Sequence, residues 1–207
     1  KSICKAQAVN IVHLHSSKSH SIGVLAALFG NKVPLVLSRR IDFVPGRGFL
    51  TQWKYDHDAI KKIICVSEKV RDIVESYCNK KHRTVTVYDG IDVKKFFPLP
   101  QQNILRREFK VPETAFIVGN TSALEGHKDY FTFIKTIGHL KKAKVPVVAF
   151  IIGMGSLEND LKNFTEAEGL SDTIRFTGFR TDIREVLPAL NVFLMTSNEE
   201  GLGSSIL

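Results

Sequence analysis

Short runs of consecutive apolar residues alternate along the chain with longer stretches in which apolar residues recur every three or four positions. A short apolar run bounded by turn residues reads as a strand buried on both faces, and a longer periodic stretch as a helix with one buried side. The first part of the chain is expected to form strands over Val9–Leu14, Leu35–Leu37, Lys62–Val66 and Thr84–Tyr88, with helices near His20–Phe29, Leu50–Ala59 and Glu68–Tyr77. Ser67 stands where it can cap the third of these helices. The second part is expected to give a helix at Asn103–Phe109, then strands Phe116–Gly119, Val147–Ile152, Ile174–Phe176 and Val192–Met195. Helices Tyr130–Ala143, Leu157–Glu168 and Asp182–Leu187 fall between them. Strand alternating with helix implies an α/β fold with mostly parallel sheets. Phe97-Pro98-Leu99-Pro100, followed by Gln101-Gln102, reads as a connector. The expectation is two Rossmann-like domains, residues 1–95 and 103–207, joined by a linker over 96–102.

The 43% hydrophobic content of the 207 residues is that of an ordinary globular protein. The longest apolar run, Val145–Ile152, is strand-sized and well short of the roughly 20 residues of a membrane span. Cys4, Cys65 and Cys78 have no paired spacing, so neither a disulfide framework nor a zinc site is supported, and a reducing cytoplasm is the expected compartment. The net charge of +8 is dispersed in pairs such as Arg39-Arg40, Lys61-Lys62 and Lys141-Lys142. Solvated helix faces account for such pairs, and an anionic membrane surface or a nucleotide diphosphate is compatible with them. Nucleic acid would rest on charge alone, because no nucleic-acid motif accompanies it. The chain opens on Lys1 without an initiator Met or signal peptide, and both ends read as truncations.

Several groups carry candidate chemistry. Glu200-Gly201-Leu202-Gly203-Ser204 follows the strand Val192–Met195, so the carboxylate and glycines are expected where a strand hands over to a helix. Free backbone N–H groups bind phosphate or sugar oxygens at such a place. Lys128 precedes a helix, where a cation and the helix N-terminus together suit a pyrophosphate; a surface lysine between His127 and Asp129 is the plainer alternative. His13 and His15 lie two apart on a strand and share a face. On the residues alone they read as a hydrogen-bonded pair at a strand end. Gly153-Met154-Gly155 imitates a dinucleotide fingerprint, but Glu158 stands where the third glycine belongs, so a tight turn is expected instead. Asp56-His57-Asp58 has the spacing of a metal-binding D-x-D, but at helical spacing its carboxylates diverge, and it reads as solvent-facing.

Four segments in order resemble retaining glycosyltransferases of family 4. Phe116–Asp129, FIVGNTSALEGHKD, is similar to that family's G-x-x-x-R-L-x-x-x-K-G entry; Ile151–Glu158, IIGMGSLE, to its I-G-x-G turn; Ile174–Asp182, IRFTGFRTD, to V-x-F-x-G-x-x-x-D; and Ser197–Leu207, SNEEGLGSSIL, to S-x-x-E-G-x-G-x-x-x-L. In the first part VHLHS (Val12–Ser16), CVSEKVR (Cys65–Arg71) and VYDGID (Val87–Asp92) resemble the family's H-x-H, V-S-x-x-V-R and Y-N-G-I-D segments. The last segment is similar to the first half of an E-x7-E signature whose second Glu would fall one position past Leu207.

The resemblance implies a GT-B fold, here with both domains incomplete. It implies a retaining enzyme that moves a sugar from a UDP- or GDP-sugar to a hydroxyl acceptor, a glycan or a lipid-linked acceptor, in cell-envelope polysaccharide or lipopolysaccharide synthesis. That enzyme would be cytoplasmic or peripheral on the inner membrane face, and the piece alone inactive. The nucleotide sugar is a substrate, so no cofactor is implied, and no metal or nucleic-acid partner. Carried over position by position, the resemblance assigns catalytic roles to His15, Lys128 and Glu200. It assigns donor contacts to Gly119, Asn120, Lys128, Gly153, Phe179, Arg180, Glu200, Gly201, Leu202, Gly203 and Ser204, and acceptor-side places to His15, Ser16 and Ser67. Ala123 stands where the family has Arg, which removes one of two cations expected on the donor diphosphate. A non-catalytic nucleotide-sugar-binding module is the alternative.

Overall fold

The computed structural model describes residues 2–42, 44, 46, 48–94 and 103–206. The expected linker at 96–102, Phe43, Pro45 and Arg47 of the loop at 43–48, and Leu207 lie outside the described residues. The chain forms two compact units. The first extends to Gly90 and takes in Glu199–Ser204, and the second holds Ile91–Asn198 and the residues from Ser205 on.

The first unit runs α1 (Ser2–Ala6), β1 (Val12–Leu14), α2 (Ser17–Leu28), β2 (Leu35–Arg39), α3 (Phe49–Asp56), β3 (Ile60–Cys65), α4 (Glu68–Glu75) and β4 (Thr84–Thr86). Its four strands pair in parallel in the order β1-β2-β3-β4. Leu14, Leu35, Leu37, Ile60 and Ile63 of the sheet pack with Val24 of α2 and Val70 and Val74 of α4 to form the core. α2 can lie this close because Gly23 faces the sheet; a Cβ there would come within 3.0 Å of Leu14 Cδ1. Ser16 caps α2 in a reciprocal box with Ser19, which starts the helix at Ser17, three residues before the hydrophobic pattern places it. Ser67 caps α4 as expected, accepting from Val70 N. α1 was not expected, and β1 begins at Val12, not Val9.

The second unit runs α5 (Ile104–Phe109), β5 (Phe116–Thr121), α6 (Tyr130–Lys142), β6 (Val147–Ile152), α7 (Glu158–Ala167), β7 (Ile174–Gly178), α8 (Ile183–Val186) and β8 (Val192–Phe193). The parallel order is β7-β6-β5-β8. Successive residues of β5 and β6 enter opposite cores. Val118, Ala149 and Ile151 pack with Phe133, Ile134 and Ile137 of α6, while Ile117, Phe150 and Ile152 pack with Leu105 and Val186. This two-sided burial is why β6 reads as an unbroken apolar run, whereas β5 is apolar only up to Val118. The sheet reverses direction at β5, which has β6 on one side and β8 on the other, so the carboxyl end of β5 is the position where open α/β sheets bind ligands.

Two expectations at the end of the chain are corrected. β8 stops at Phe193, not Met195, and residues 201–205 form bends and turns, not the start of a helix. Gly201 and Gly203 are poor helix formers, and Gly203 sits at φ +68, outside the right-handed helical region. No helix among the described residues is long and apolar enough to cross a membrane.

Candidate functional site

In the second unit the loops after β5, β6 and β7 surround a cavity of about 430 Å³ lined by Thr121, Ser122, Ala123, Ile152, Gly153, Met154, Phe179 and Arg180. Two glycines let these loops meet. Gly153 has φ +146, and a Cβ on it would stand 2.0 Å from the Ser122 carbonyl oxygen; one on Gly155 would stand 2.5 Å from that of Leu124. Gly153 N donates to Gly178 O at 2.9 Å, and Ser156 Oγ donates to Glu125 Oε2 at 2.9 Å, holding Glu125 below the usual carboxylate range. The Gly-x-Gly turn is therefore built for backbone contact with the neighbouring loop.

Lys128 ends a one-turn 3-10 segment, Gly126–Lys128, directly before α6. Asp129, at φ 45, caps α6 by accepting from Thr132 N, and Thr132 Oγ1 also donates to it at 2.7 Å. The segment after β8 ties itself to this turn. Thr196 Oγ1 donates to Asp129 O at 2.9 Å and Lys128 O at 3.2 Å, and Asn198 N donates to His127 O at 2.9 Å. Nothing in the sequence pattern points to Thr196, because its partners are main-chain carbonyls 67 and 68 residues away.

Phe179 projects into solvent at the cavity, 69% exposed. Arg180 is neither a plain surface cation nor an uncommitted one. Its Nε and Nη2 donate to the two oxygens of Asp182 at 2.9 and 2.7 Å, and its Nη1 to Glu108 at 2.8 Å. The Asp182 bonds first, and then Glu108, hold the guanidinium above its ordinary pKa. Its charge is thus met within the protein, and its evident work is to hold the Phe179 loop. Glu108, on α5, carries no motif and was not singled out from the sequence.

Gly119 and Asn120 lie within β5. A Cβ on Gly119 would stand 2.6 Å from Leu190 Cδ2, so close packing alone requires glycine there. Asn120 is buried, and its Nδ2 has no hydrogen-bond partner among the described residues.

In the first unit the His13 and His15 rings lie with centroids 4.0 Å apart, tilted by 44°, and His13 Nε2 pairs with Ser38 Oγ at 2.8 Å. Burial, and then the neighbouring His15, lower the His13 pKa. His15, Ser16 and Ser17 line a second cavity of about 360 Å³, with His20, Leu37, Ser38, Arg39, Arg40, Ile41 and Tyr55. Ser16 and Ser67 both spend their hydroxyls on helix caps. Glu200 is half-buried, Ser204 exposed, and Leu202 packs against the first unit's core. A Cβ on Gly201 would stand 2.0 Å from the Arg40 carbonyl oxygen, so glycine allows this approach of two backbones. Of the D-x-D pair, Asp58 is solvent-facing with Lys80 and Arg83, whereas Asp56 accepts from Asn79 N and Lys80 N and anchors that turn. Among the described residues no group of three or more His, Cys, Asp and Glu is arranged to hold a metal ion.

A family model described as glycosyl transferases group 1 matches residues 101–207, and one for glycosyltransferase family 4 matches residues 1–95. The chain is 26% identical, over 99% of its length and 56% of the relative's, to an Escherichia coli UDP-Gal:alpha-D-GlcNAc-diphosphoundecaprenol alpha-1,3-galactosyltransferase. It is 28% identical to the E. coli O-antigen biosynthesis glycosyltransferase WclY over 58% of its own length and 33% of WclY. Among solved structures, Anabaena HepE in complex with UDP and glucose superposes with a TM-score of 0.83 at 20% identity, over 99% of this chain and 57% of HepE. The chain thus spans little more than half of the galactosyltransferase and of HepE and a third of WclY, and the HepE likeness establishes the two-sheet GT-B fold.

Proposed function

The chain belongs to the group 1 glycosyl transferases, whose model covers more than half of it, and from that premise we propose that the whole protein transfers a sugar from a nucleoside diphosphate sugar to a hydroxyl acceptor. The observation that carries this reading is the cavity at the carboxyl ends of β5, β6 and β7, with an exposed aromatic at its rim and the Lys128 turn at the head of α6. Phe179 offers a face on which a base can stack. Lys128, at the head of α6, suits the diphosphate as a cation. UDP is the donor nucleotide favoured, since it stands in the name of the E. coli relative and in the HepE complex. The same relatives favour a lipid-linked or glycan acceptor in envelope polysaccharide synthesis, with the chain's positive charge suited to an anionic membrane face.

In this reading the bond between the anomeric carbon and the diphosphate oxygen breaks while the acceptor oxygen bonds on the same face. The acceptor proton passes to the departing phosphate oxygen. The protein positions the two substrates and offsets the charge that develops on the diphosphate. In the second unit Lys128 serves that purpose; in the first, Glu200 and the amides that follow it are read as sugar and phosphate ligands, and His15 with Ser16 and Ser67 as acceptor-side groups.

A second reading, a binding module without catalysis, is favoured by one observation. Ala123 leaves the cavity wall without the cation the family places there, and Arg180 is already neutralised by Glu108 and Asp182. Titration of the full-length protein with UDP and GDP, with Lys128→Ala alongside, tests the donor site. Micromolar UDP binding weakened about tenfold (about 1.4 kcal/mol) by the substitution is expected. Binding of neither nucleotide would sink both readings, whereas UDP binding without release of UDP from any UDP-sugar would leave only the second.

A further inference from the structure

Phe179 stands on the rim of the second unit's cavity between two anchors. On one side the carbonyl of Gly178, a residue at φ +69, accepts from Gly153 N at 2.9 Å. On the other, the Arg180 side chain is only 13% exposed and is gripped by two carboxylates. The two grips differ in kind. Asp182 lies two residues further along the same loop, so its pairing with Nε and Nη2 shapes the loop from within. Glu108 comes from α5, 72 residues away, and takes Nη1 with both oxygens, at 2.9 and 2.8 Å. α5 is itself firmly seated. Leu105 is buried in the core with Ile117, Phe150 and Val186, and Arg106 donates to the carbonyls of Pro112 and Ala115 at 2.5 and 2.9 Å. Glu108 therefore ties the rim loop to a fixed part of the unit. It stands off the cavity wall and faces a separate hollow with Ile104, Arg107 and Glu185.

On charge alone this carboxylate is misplaced. Two carboxylates around one guanidinium leave an excess negative charge beside a cavity read as taking a diphosphate. A geometric role accounts for it. We infer that Glu108 is a positioning residue for the nucleotide: through Arg180 it holds the Phe179 loop in the conformation that receives the base. An aromatic ring 69% exposed on an unfastened loop would have to be ordered when a base stacks on it, and fixing the loop beforehand removes that cost from binding. The assignment rests on the reading of this cavity as the site of a nucleoside diphosphate sugar. It deepens that reading by naming a residue outside the cavity on which nucleotide affinity depends.

The test uses the full-length protein with UDP as the probe, measured by calorimetry, and a urea midpoint to show that each variant folds. Glu108→Ala is expected to weaken UDP binding about tenfold. Glu108→Gln removes the charge but keeps an oxygen at the same reach for Nη1, and should stay within about twofold of wild type. The sign separates positioning from electrostatics, because loss of a negative charge near a diphosphate would by itself tighten binding in both variants. In a Phe179→Ala background the same Glu108→Ala change should have no further effect on UDP, since the ring it positions is gone. Without any nucleotide, the amides of residues 178–181 should exchange hydrogen faster in Glu108→Ala while those of β6 do not. UDP affinity unchanged or raised in Glu108→Ala would overturn the inference and leave the donor cavity standing. So would a full tenfold loss in the Phe179→Ala background, or exchange at 178–181 that ignores the substitution. Failure of wild-type protein to bind UDP would strike the parent reading and this inference with it.

Discussion

Single residues fix the geometry of both cavities. Gly153 is the clearest case, since its φ of +146 and the Ser122 oxygen 2.0 Å from a Cβ leave no room for alanine. Gly153→Ala is expected to destabilise the second unit by about 2–4 kcal/mol; a urea midpoint unchanged from wild type would contradict the packing described. Removing the Arg180 fork should cost less, because Glu108 and Asp182 both reach solvent. Arg180→Gln is expected to lower stability by about 1 kcal/mol and to lose that effect in high salt. His20 gives a pH signature. Buried and only 1% exposed, its pKa is pushed down to about 4 by burial first and then by Lys54. The unfolded chain therefore binds a proton that the folded one refuses. Stability from this group is complete above pH ~6.5 and falls as pH drops toward about 4, by on the order of 3 kcal/mol. His13, also lowered, adds a change of the same sign. Urea unfolding between pH 7.5 and 4.5 should show the loss, and His20→Gln should flatten most of it. An identical slope in the variant would rule out His20 as the source.

At the scale of elements, β6 was legible to the residue because Val147–Ile152 is apolar on both faces and bounded by Pro146 and Gly153. Boundaries failed where something other than hydrophobicity decides them. α2 starts at its Ser16 cap, ahead of its first apolar residue, and β8 pairs over only two residues although the apolar run continues. The Asn191 side chain extends that short pairing by accepting from Ile117 N at 2.8 Å, a contact of 74 residues' separation that no local pattern encodes. The turn before α6 joins a cap to the candidate donor cation. Asp129 supplies the cap from a left-handed conformation, which Asn tolerates and Ala does not. Asp129→Ala should therefore cost about 1–2 kcal/mol and weaken UDP binding through Lys128, whereas Asp129→Asn should keep most of both; equal effects of the two substitutions would argue against the cap.

Across the whole molecule, the two parallel sheets followed from the alternation of strand and helix runs, because such sheets are covered on both faces and advertise it in composition. The motifs likewise led to loops that do converge: Ser122, Ala123, Gly153, Phe179 and Arg180 line one cavity. The engagement of Arg180 by Glu108 and the grouping of Glu199–Ser204 with the first unit were hidden, because each depends on partners far away in the chain. If the nucleotide binds only the folded state, UDP at a hundred times its Kd should stabilise the protein by about 2.7 kcal/mol. A melt should then shift upward by several degrees, and a midpoint that ignores UDP would count against the donor cavity.

The strand order of the second unit also sets a timetable. β5 is the first of its strands to leave the ribosome and ends at the centre of the sheet, between β6 and β8. One flank can pair as soon as Val147–Ile152 has been made, but the other waits for Val192, about 70 residues after β5 ends. At a synthesis rate of roughly 5–20 residues per second, that bare backbone edge persists for about 4–14 s on every nascent chain. Until then the innermost strand of the unit presents unpaired N–H and C=O groups to other chains and to the chaperones that shield such edges.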